Sequence, residues 1–340
     1  AAPTAGASQA PWTQLGATQV PLNPLLPRRV NDVKLGIISD LRNPEDPKYH
    51  RPWVQHYSQF MELIVQLENL GFESVVFPEH HFEADGYISN PIPMMTAVAM
   101  KTKNMLVGAD LFRLPDWHPV RLAEDVALVD ILSNGRVIFK AGAGGVYPPI
   151  SAGLGWNQRG YLSRSAETMQ IIKKCWTEEE FDWDGRHYHL KGVRVMPKPV
   201  QKPHPPIWLP GVVSRDSLVW AATNRIPYIM LATKLEPTKE AFQIYHDTAA
   251  EQGYKSGPQN LGYLWKVHVD ETEELAAEVG RKYVQGPSNP FLAGNEGTQN
   301  KALGRLPGMT SRTRVLPTMK AATANRGGVE GTSYEEQIAG

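Results

Sequence analysis

The sequence predicts an α/β fold: a parallel sheet closed as a TIM-like (β/α)8 barrel that stops before its eighth strand. Three observations carry this. Short, almost wholly apolar runs such as "SVVF" and "RVIFKA" alternate with amphipathic stretches of helical length. That is the order of a parallel sheet whose strands are buried on both faces, either doubly wound or closed into a barrel. A glycine-rich turn, "AGAGG" at 141–145, follows only the fourth run, and the early G-x-G-x-x-G of a doubly wound dinucleotide fold is missing. Polar residues collect just after the apolar runs, at Ser39-Asp40, Glu79-His80-His81 and Asp110, where a barrel carries its chemistry.

The elements follow in order. Val33 to Ile38 is the first strand, and a loop with Pro44, Pro47 and Pro52 follows. Phe60, Leu63, Ile64, Leu67 and Leu70 recur at helical spacing, and Gly71 ends that helix. Ser74–Phe77 is the second strand, Pro91 to Thr102 the second helix, and Met105 to Leu111 the third strand. His118-Pro119 opens the third helix, with proline at the first helical position where its missing N–H costs nothing, and Asn134-Gly135 closes it. Arg136–Ala141 is the fourth strand and Arg164 to Trp176 the fourth helix. Three further strand–helix pairs follow: 206–209 with 214–224, 227–231 with 236–252, and 263–269 with 271–284. A closed barrel needs about eight strands, and the pattern supplies seven. Residues 287–340, rich in Gly, Thr and Asn, show no clear eighth.

The domain reading is therefore an extended or disordered arm at 1–31 and a barrel domain at 32–340, with insertions near 144–160, 180–205 and 287–330. The arm lacks an initiator Met and the apolar core of a signal peptide. It is read as either the mature end after a leader is removed or an incomplete reading frame.

Composition narrows the function classes. The formal net charge of the 340 residues is zero, so no global basic field attracts nucleic acid or an acidic membrane. No apolar run approaches the roughly 18 residues of a membrane span. Cys175 is the single cysteine, which rules out an intrachain disulfide or a cysteine metal cluster and suits a cytoplasmic location.

The candidate site starts at "FPEHHFEADG", residues 77–86. Adjacent strand residues point to opposite faces, so His80 and His81 do not form a two-histidine metal pair. His80, at the mouth and flanked by carboxylates, suits proton transfer near neutral pH. Asp110 ends a buried strand, where a carboxylate is costly unless paired or wet; it lines the cavity or meets a backbone donor. Gly142, Gly144 and Gly145 leave room for a flat ligand against the backbone. Ser214 is a helix N-cap after the fifth strand, and free N–H groups there suit a phosphate. His187-Tyr188-His189 is expected on a solvated hairpin face with its turn at Asp184-Gly185, and HExxH is absent.

Taken in this order, "SVVFPEHHFEADGYISNP", "GADLFRLPDWHPVRLAEDVALVDILSNGRV", "FKAGAG" and "MPKPVQKPHPPIWLPG" resemble the bacterial luciferase-like, flavin-dependent monooxygenase family. The resemblance covers about residues 33–285. It implies a TIM-like barrel with reduced FMN across the strand ends, supplied by a separate flavin reductase. It also implies dioxygen as co-substrate, oxygenation of a small organic molecule, and a homodimer formed through the early helices. His80 matches the family's catalytic histidine, as general acid/base or hydrogen-bond partner, with Glu79 and His81 supporting the strand end. Ala109 and Asp110 match the place of a non-proline cis peptide beneath the flavin ring. Ala141 and Gly142 lie beside that place, and Val213-Ser214 matches the phosphate-binding helix start. The stretch 287–330 is the expected lid. Two departures stand out. The family's phosphate-binding arginine is Ala143 here, which passes that role to backbone N–H groups, Arg164 or Arg215 and leaves a deazaflavin as the lesser alternative to FMN. The family's last strand would begin where "GTSYEEQIAG" stops. Two rival readings remain: a non-catalytic flavin-binding or dimer-forming subunit, and a metal-dependent barrel hydrolase.

Overall fold

The structure is a computed structural model that describes residues 34–279 apart from 44–46, 48–49, 145–147, 156–159, 212–214, 232–234, 265–266 and 268. Among the described residues, one parallel sheet holds β1 (Gly36–Ile38), β2 (Ser74–Phe77), β3 (Leu106–Ala109), β5 (Val137–Gly142), β8 (Ile207–Gly211), β9 (Tyr228–Leu231) and β10 (Leu261–Leu264), in that spatial order. A two-residue strand, β4 (Phe112–Arg113), adds beside β5, and β6 (Phe181–Asp184) pairs with β7 (His189–Val193) as a separate antiparallel hairpin. The sheet order follows the chain and never reverses. A doubly wound sheet must reverse. Right-handed crossovers in an unreversed order carry every helix to one face, which is the winding of a TIM-type barrel.

The helices are α1 (Trp53–Asn69), α2 (Pro91–Lys101), α3 (Pro119–Leu132), α4 (Pro148–Gly153), α5 (Tyr161–Thr177), α6 (Arg215–Thr223), α7 (Leu235–Glu251) and α8 (Glu273–Val279). Their ends follow from local chemistry. Asn90 caps α2 by accepting from the Ile92 N–H at 3.0 Å, and Pro91 takes the first helical position. Asn134 and Gly135 close α3 at φ of 56° and 77°, and the Gly135 N–H reaches back to the Asp130 carbonyl at 2.8 Å. The predicted strands all occur, though the last, expected at 263–269, sits at Leu261–Leu264. Neither β4 nor α4 is foreseen by the periodicity; both are too short for it. The arm at 1–31, the proposed lid and the region of an eighth strand lie outside the described residues.

Strand alternation sorts the core. Val107, Ala109, Val137, Phe139 and Ala141 belong to the large apolar cluster between sheet and helices. Phe139 meets Trp176 of α5 edge-on at 5.0 Å, and the Trp176 Nε1–H donates to the Ala123 carbonyl of α3 at 3.0 Å. Residues 108, 110, 138, 140 and 142 therefore face the barrel lumen. Fully buried Asp130 accepts from the Gln201 N–H at 3.0 Å and its Nε2–H at 2.7 Å, tying the proline-rich approach to β8 onto α3.

Gly108 makes a close backbone contact with the neighbouring strand. A Cβ there would stand 2.6 Å from the Ile138 carbonyl oxygen, a backbone atom that cannot step aside. Gly108→Ala is expected to lower the free energy of unfolding by about 1–3 kcal/mol, read as a drop in the denaturant midpoint at unchanged slope.

Candidate active site

The site forms where β2, β3 and β5 end. The Asp110 N–H donates to the Phe77 carbonyl at 2.7 Å, which holds the chain leaving β3 beside the chain leaving β2. Pro78 then turns the backbone, and Glu79, His80 and His81 diverge. Glu79 is 5% exposed. One of its carboxylate oxygens, Oε2, accepts from the Trp117 Nε1–H at 2.8 Å and the Arg113 backbone N–H at 3.0 Å, and Oε1 lies 3.2 Å from His81 Nε2. Burial pushes the Glu79 carboxyl upward, opposed by these hydrogen bonds. Glu79 thus joins β2 to the β4–α3 connection.

His80 faces elsewhere. Its ring lies against Tyr87 at 4.9 Å between centroids, its backbone N–H donates to the Ile88 carbonyl at 2.9 Å, and Nδ1 stands 3.0 Å from Glu83 Oε1. The Arg42 guanidinium lies 4.5 Å from the Tyr87 ring centre and bonds Asp85 Oδ2 at 2.5 Å. Burial lowers the His80 pKa to about 4, aided by the charges of Arg113 and Arg42. The Asp85 carboxylate pulls the other way, but burial and two guanidinium groups outweigh it. His80 is a neutral imidazole at neutral pH.

Among the described residues Asp110 meets Lys140 and no backbone donor. Its Oδ2 lies 3.5 Å from the Nζ of Lys140, and both residues are buried. Burial raises the Asp110 carboxyl, and the ammonium opposes that. The Asp110–Leu111 peptide is cis, within the stretch singled out by the resemblance. The side chains of Ala109 and Ala141 are fully buried in the helix-facing core, so only their backbones face the mouth. Gly142 opens the mouth: a Cβ there would find only Leu111 Cδ2 at 3.8 Å and Leu209 Cδ1 at 3.9 Å. Val213 and Ser214 lie outside the described residues; Arg215 is the first residue of α6 and Arg164 lies in the first turn of α5.

Sequence reasoning misses three participants. Lys140 interrupts an otherwise apolar strand, a signal that could have exposed it. Trp117 and Arg113 give no such signal, because their role depends on how β4 folds back. Arg113 Nε bonds Asp116 Oδ2 at 2.6 Å, and its guanidinium crosses Gly144, whose φ is 66°. Glu79, His81 and Asp116 each bring a ligand-type atom within 4.8 Å of the others, the one such grouping among the described residues. Glu79 and Asp116 already accept hydrogen bonds from Trp117 and Arg113 there.

The hairpin corrects an expectation. His189 is exposed and pairs with Asp184, as a solvated face should. His187 instead lies 2.8 Å from Ser163 Oγ, and Glu167 accepts from the Trp183 Nε1–H and the backbone N–H groups of His187 and Tyr188, each at 2.9 Å. A buried carboxylate under the turn docks the hairpin on α5, which periodicity alone does not show.

Comparison with known proteins agrees with the barrel fold. A family model described as luciferase-like monooxygenase matches residues 33–330. The alkanal monooxygenase alpha chain of Photorhabdus laumondii is 28% identical over 67% of this chain and 64% of its own length. The oxygenase component of a flavin-dependent trigonelline monooxygenase from Acinetobacter baylyi is 30% identical over 48% of this chain and 44% of its own. The chain thus spans less than two thirds of either relative. The oxygenating constituent of the 3,6-diketocamphane monooxygenase of Pseudomonas putida, solved with FMN, superposes with a TM-score of 0.67 at 19% identity, covering 90% of this chain and 82% of that one. No described helix is long and apolar enough to cross a membrane.

Proposed function

The chain belongs to the luciferase-like monooxygenase family, and from that premise we propose that it is the oxygenase of a flavin-dependent monooxygenase acting on a small organic substrate. The observation that carries this reading is the mouth itself. A neutral, half-buried His80 stands past the end of β2, and the lumen-facing Asp110–Lys140 pair lies beneath a strip without side chain at Gly142, flanked by Leu111 and Leu209. A flat ring system fits that strip, where any Cβ at 142 would project into the space. Reduced flavin, when bound, supplies the electrons with which dioxygen is split between substrate and water.

The residues of the chain would do the rest. Leu111 would bear the ring, Leu209, which packs against the α6–α7 cluster, would meet its edge, and the backbone at Ala109 and Ala141 would border it. Arg215, the first residue of α6, with Val213 and Ser214 just before it in the sequence, would take the phosphate of FMN. His80 would accept or return a proton, or hold a hydrogen bond, where oxygen meets substrate. Glu79 and His81 would keep it in place. Tyr57, Phe82, Tyr87 and Met94 line a hollow beside His80 that suits an apolar or aromatic substrate. The name of the trigonelline relative, an oxygenase component, supports a separate reductase as electron source. Exposed Val54, Leu63, Met100 and Leu132 on α1–α3 support a homodimer through these helices.

A flavin titration tests the reading. Oxidised and photoreduced FMN are titrated in parallel, with a reduced deazaflavin as the third arm. Saturable binding of FMN, followed by oxygen uptake when substrate is added to the reduced complex, is the expected result. Binding without uptake across a substrate panel would favour a non-catalytic subunit, and failure of every flavin to bind would end the reading.

A further inference from the structure

Lys140 is a buried cation whose partner does not use it up. It lies on β5 between Phe139 and Ala141, both turned into the helix-facing core, so its side chain enters the lumen. There it lies level with Asp110, because β3 and β5 pair Gly108 with Ile138. Asp110, its one polar partner among the described residues, stands one residue past the end of β3. Gly142 lies two residues further along the same face, about 6–7 Å up the strand. The ammonium thus lies on the lumen face that carries the Leu111–Gly142–Leu209 strip, two residues below Gly142. An ammonium has three N–H donors, and the contact with Asp110 is long, at 3.5 Å. Donors remain for a second acceptor in a place where water competes poorly, and a buried charge gains most from such an acceptor.

We infer that Lys140 is a cofactor-binding residue: its ammonium takes the delocalised negative charge of a reduced, ionised flavin ring and makes this chain select reduced over oxidised flavin. The inference rests on the flavin reading above. Asp110 sets the strength of the effect, since its carboxylate competes for the same cation. Uncharged, oxidised isoalloxazine offers only neutral acceptors, its carbonyl oxygens and ring nitrogens, to the ammonium and gains less.

The test compares dissociation constants of oxidised and photoreduced FMN for the wild-type chain, Asp110→Asn, and the double variant Lys140→Met/Asp110→Asn. The double variant removes both charges and so avoids stranding a buried carboxylate, which a lone Lys140→Met would do. The ratio of oxidised to reduced constants is expected to fall at least about tenfold in the double variant, equal to about 30 mV in the midpoint potential of bound FMN. In Asp110→Asn it should rise, because the ammonium loses its competitor. Spectroelectrochemical titration reads the potential independently of turnover. A ratio unchanged within error in the double variant, with FMN still bound, overturns the role of Lys140 and leaves the flavin reading intact. If the wild-type chain binds neither form, the flavin reading falls and the inference with it.

Discussion

Replacing His80 by alanine is expected to leave reduced-flavin binding in place and to cut turnover by about 10²–10⁴, the usual contribution of a positioned acid or base. The geometry separates the two effects. The His80 imidazole rests on Tyr87 and Glu83, whereas the strip at Gly142 is flanked by Leu111 and Leu209, so its loss is expected to leave the bearing surface of the flat ligand in place. Its protonation state sets the pH behaviour. With a pKa of about 4 in the folded chain, against 6.5 for a free imidazole, His80 carries no extra proton at neutral pH. Turnover should therefore show no limb from this group between pH 6 and 8, and its acid limb should lie near pH 4. A limb centred near 6.5 that disappears in His80→Gln would show that the imidazole is wet and not held as described. The same shift has a signed effect on stability. The unfolded chain binds the proton first, so the contribution is complete above pH 6.5 and is lost as pH falls toward 4. Its full depth is about 3 kcal/mol, and the acid slope of a denaturation series should be shallower in His80→Gln.

The lumen shows why some of this site is legible in the sequence and some is not. Period-two alternation in "RVIFKA" and "LVGA" assigns faces without any structure, and the assignments hold because both faces of a parallel strand are enclosed. His80 and His81 diverge for another reason, since both lie in the turn after Pro78, past the end of β2. The Asn134-Gly135 stop and the Pro91 and Pro119 starts are equally local, since each depends on the φ of one or two residues. What escapes is pairing across strands. Asp110 finds Lys140 thirty residues away, and no local rule says which neighbour a buried carboxylate will meet. Glu79 finds Trp117 through β4, an element of two residues with no periodicity to read. The docked face of the 181–193 hairpin escapes in the same way, because Glu167 acts from inside a helix on a turn twenty residues later.

Glu79→Ala is the other change with a large expected effect, and it falls on stability. Glu79 is a buried acceptor for Trp117 Nε1 and the Arg113 N–H, with His81 Nε2 at its other oxygen. Removing the carboxylate strands donors that no water replaces at 5% exposure. Each stranded group costs about 1–3 kcal/mol, so a total loss of about 3–5 kcal/mol is expected, read from the denaturant midpoint or Tm. Glu79→Gln separates acceptor from charge. The single amide oxygen can serve Trp117 and Arg113 together, as Oε2 does, while the amide nitrogen turns to His81 and requires Nε2 to accept. That variant should lose about 1 kcal/mol and keep flavin binding. Equal losses in the two variants would mean that the charge, and not the pair of oxygens, holds β2 to the β4–α3 connection. The expected difference follows from burial: desolvation already pushes the carboxyl toward its neutral form, so little of its worth to the fold can come from the charge.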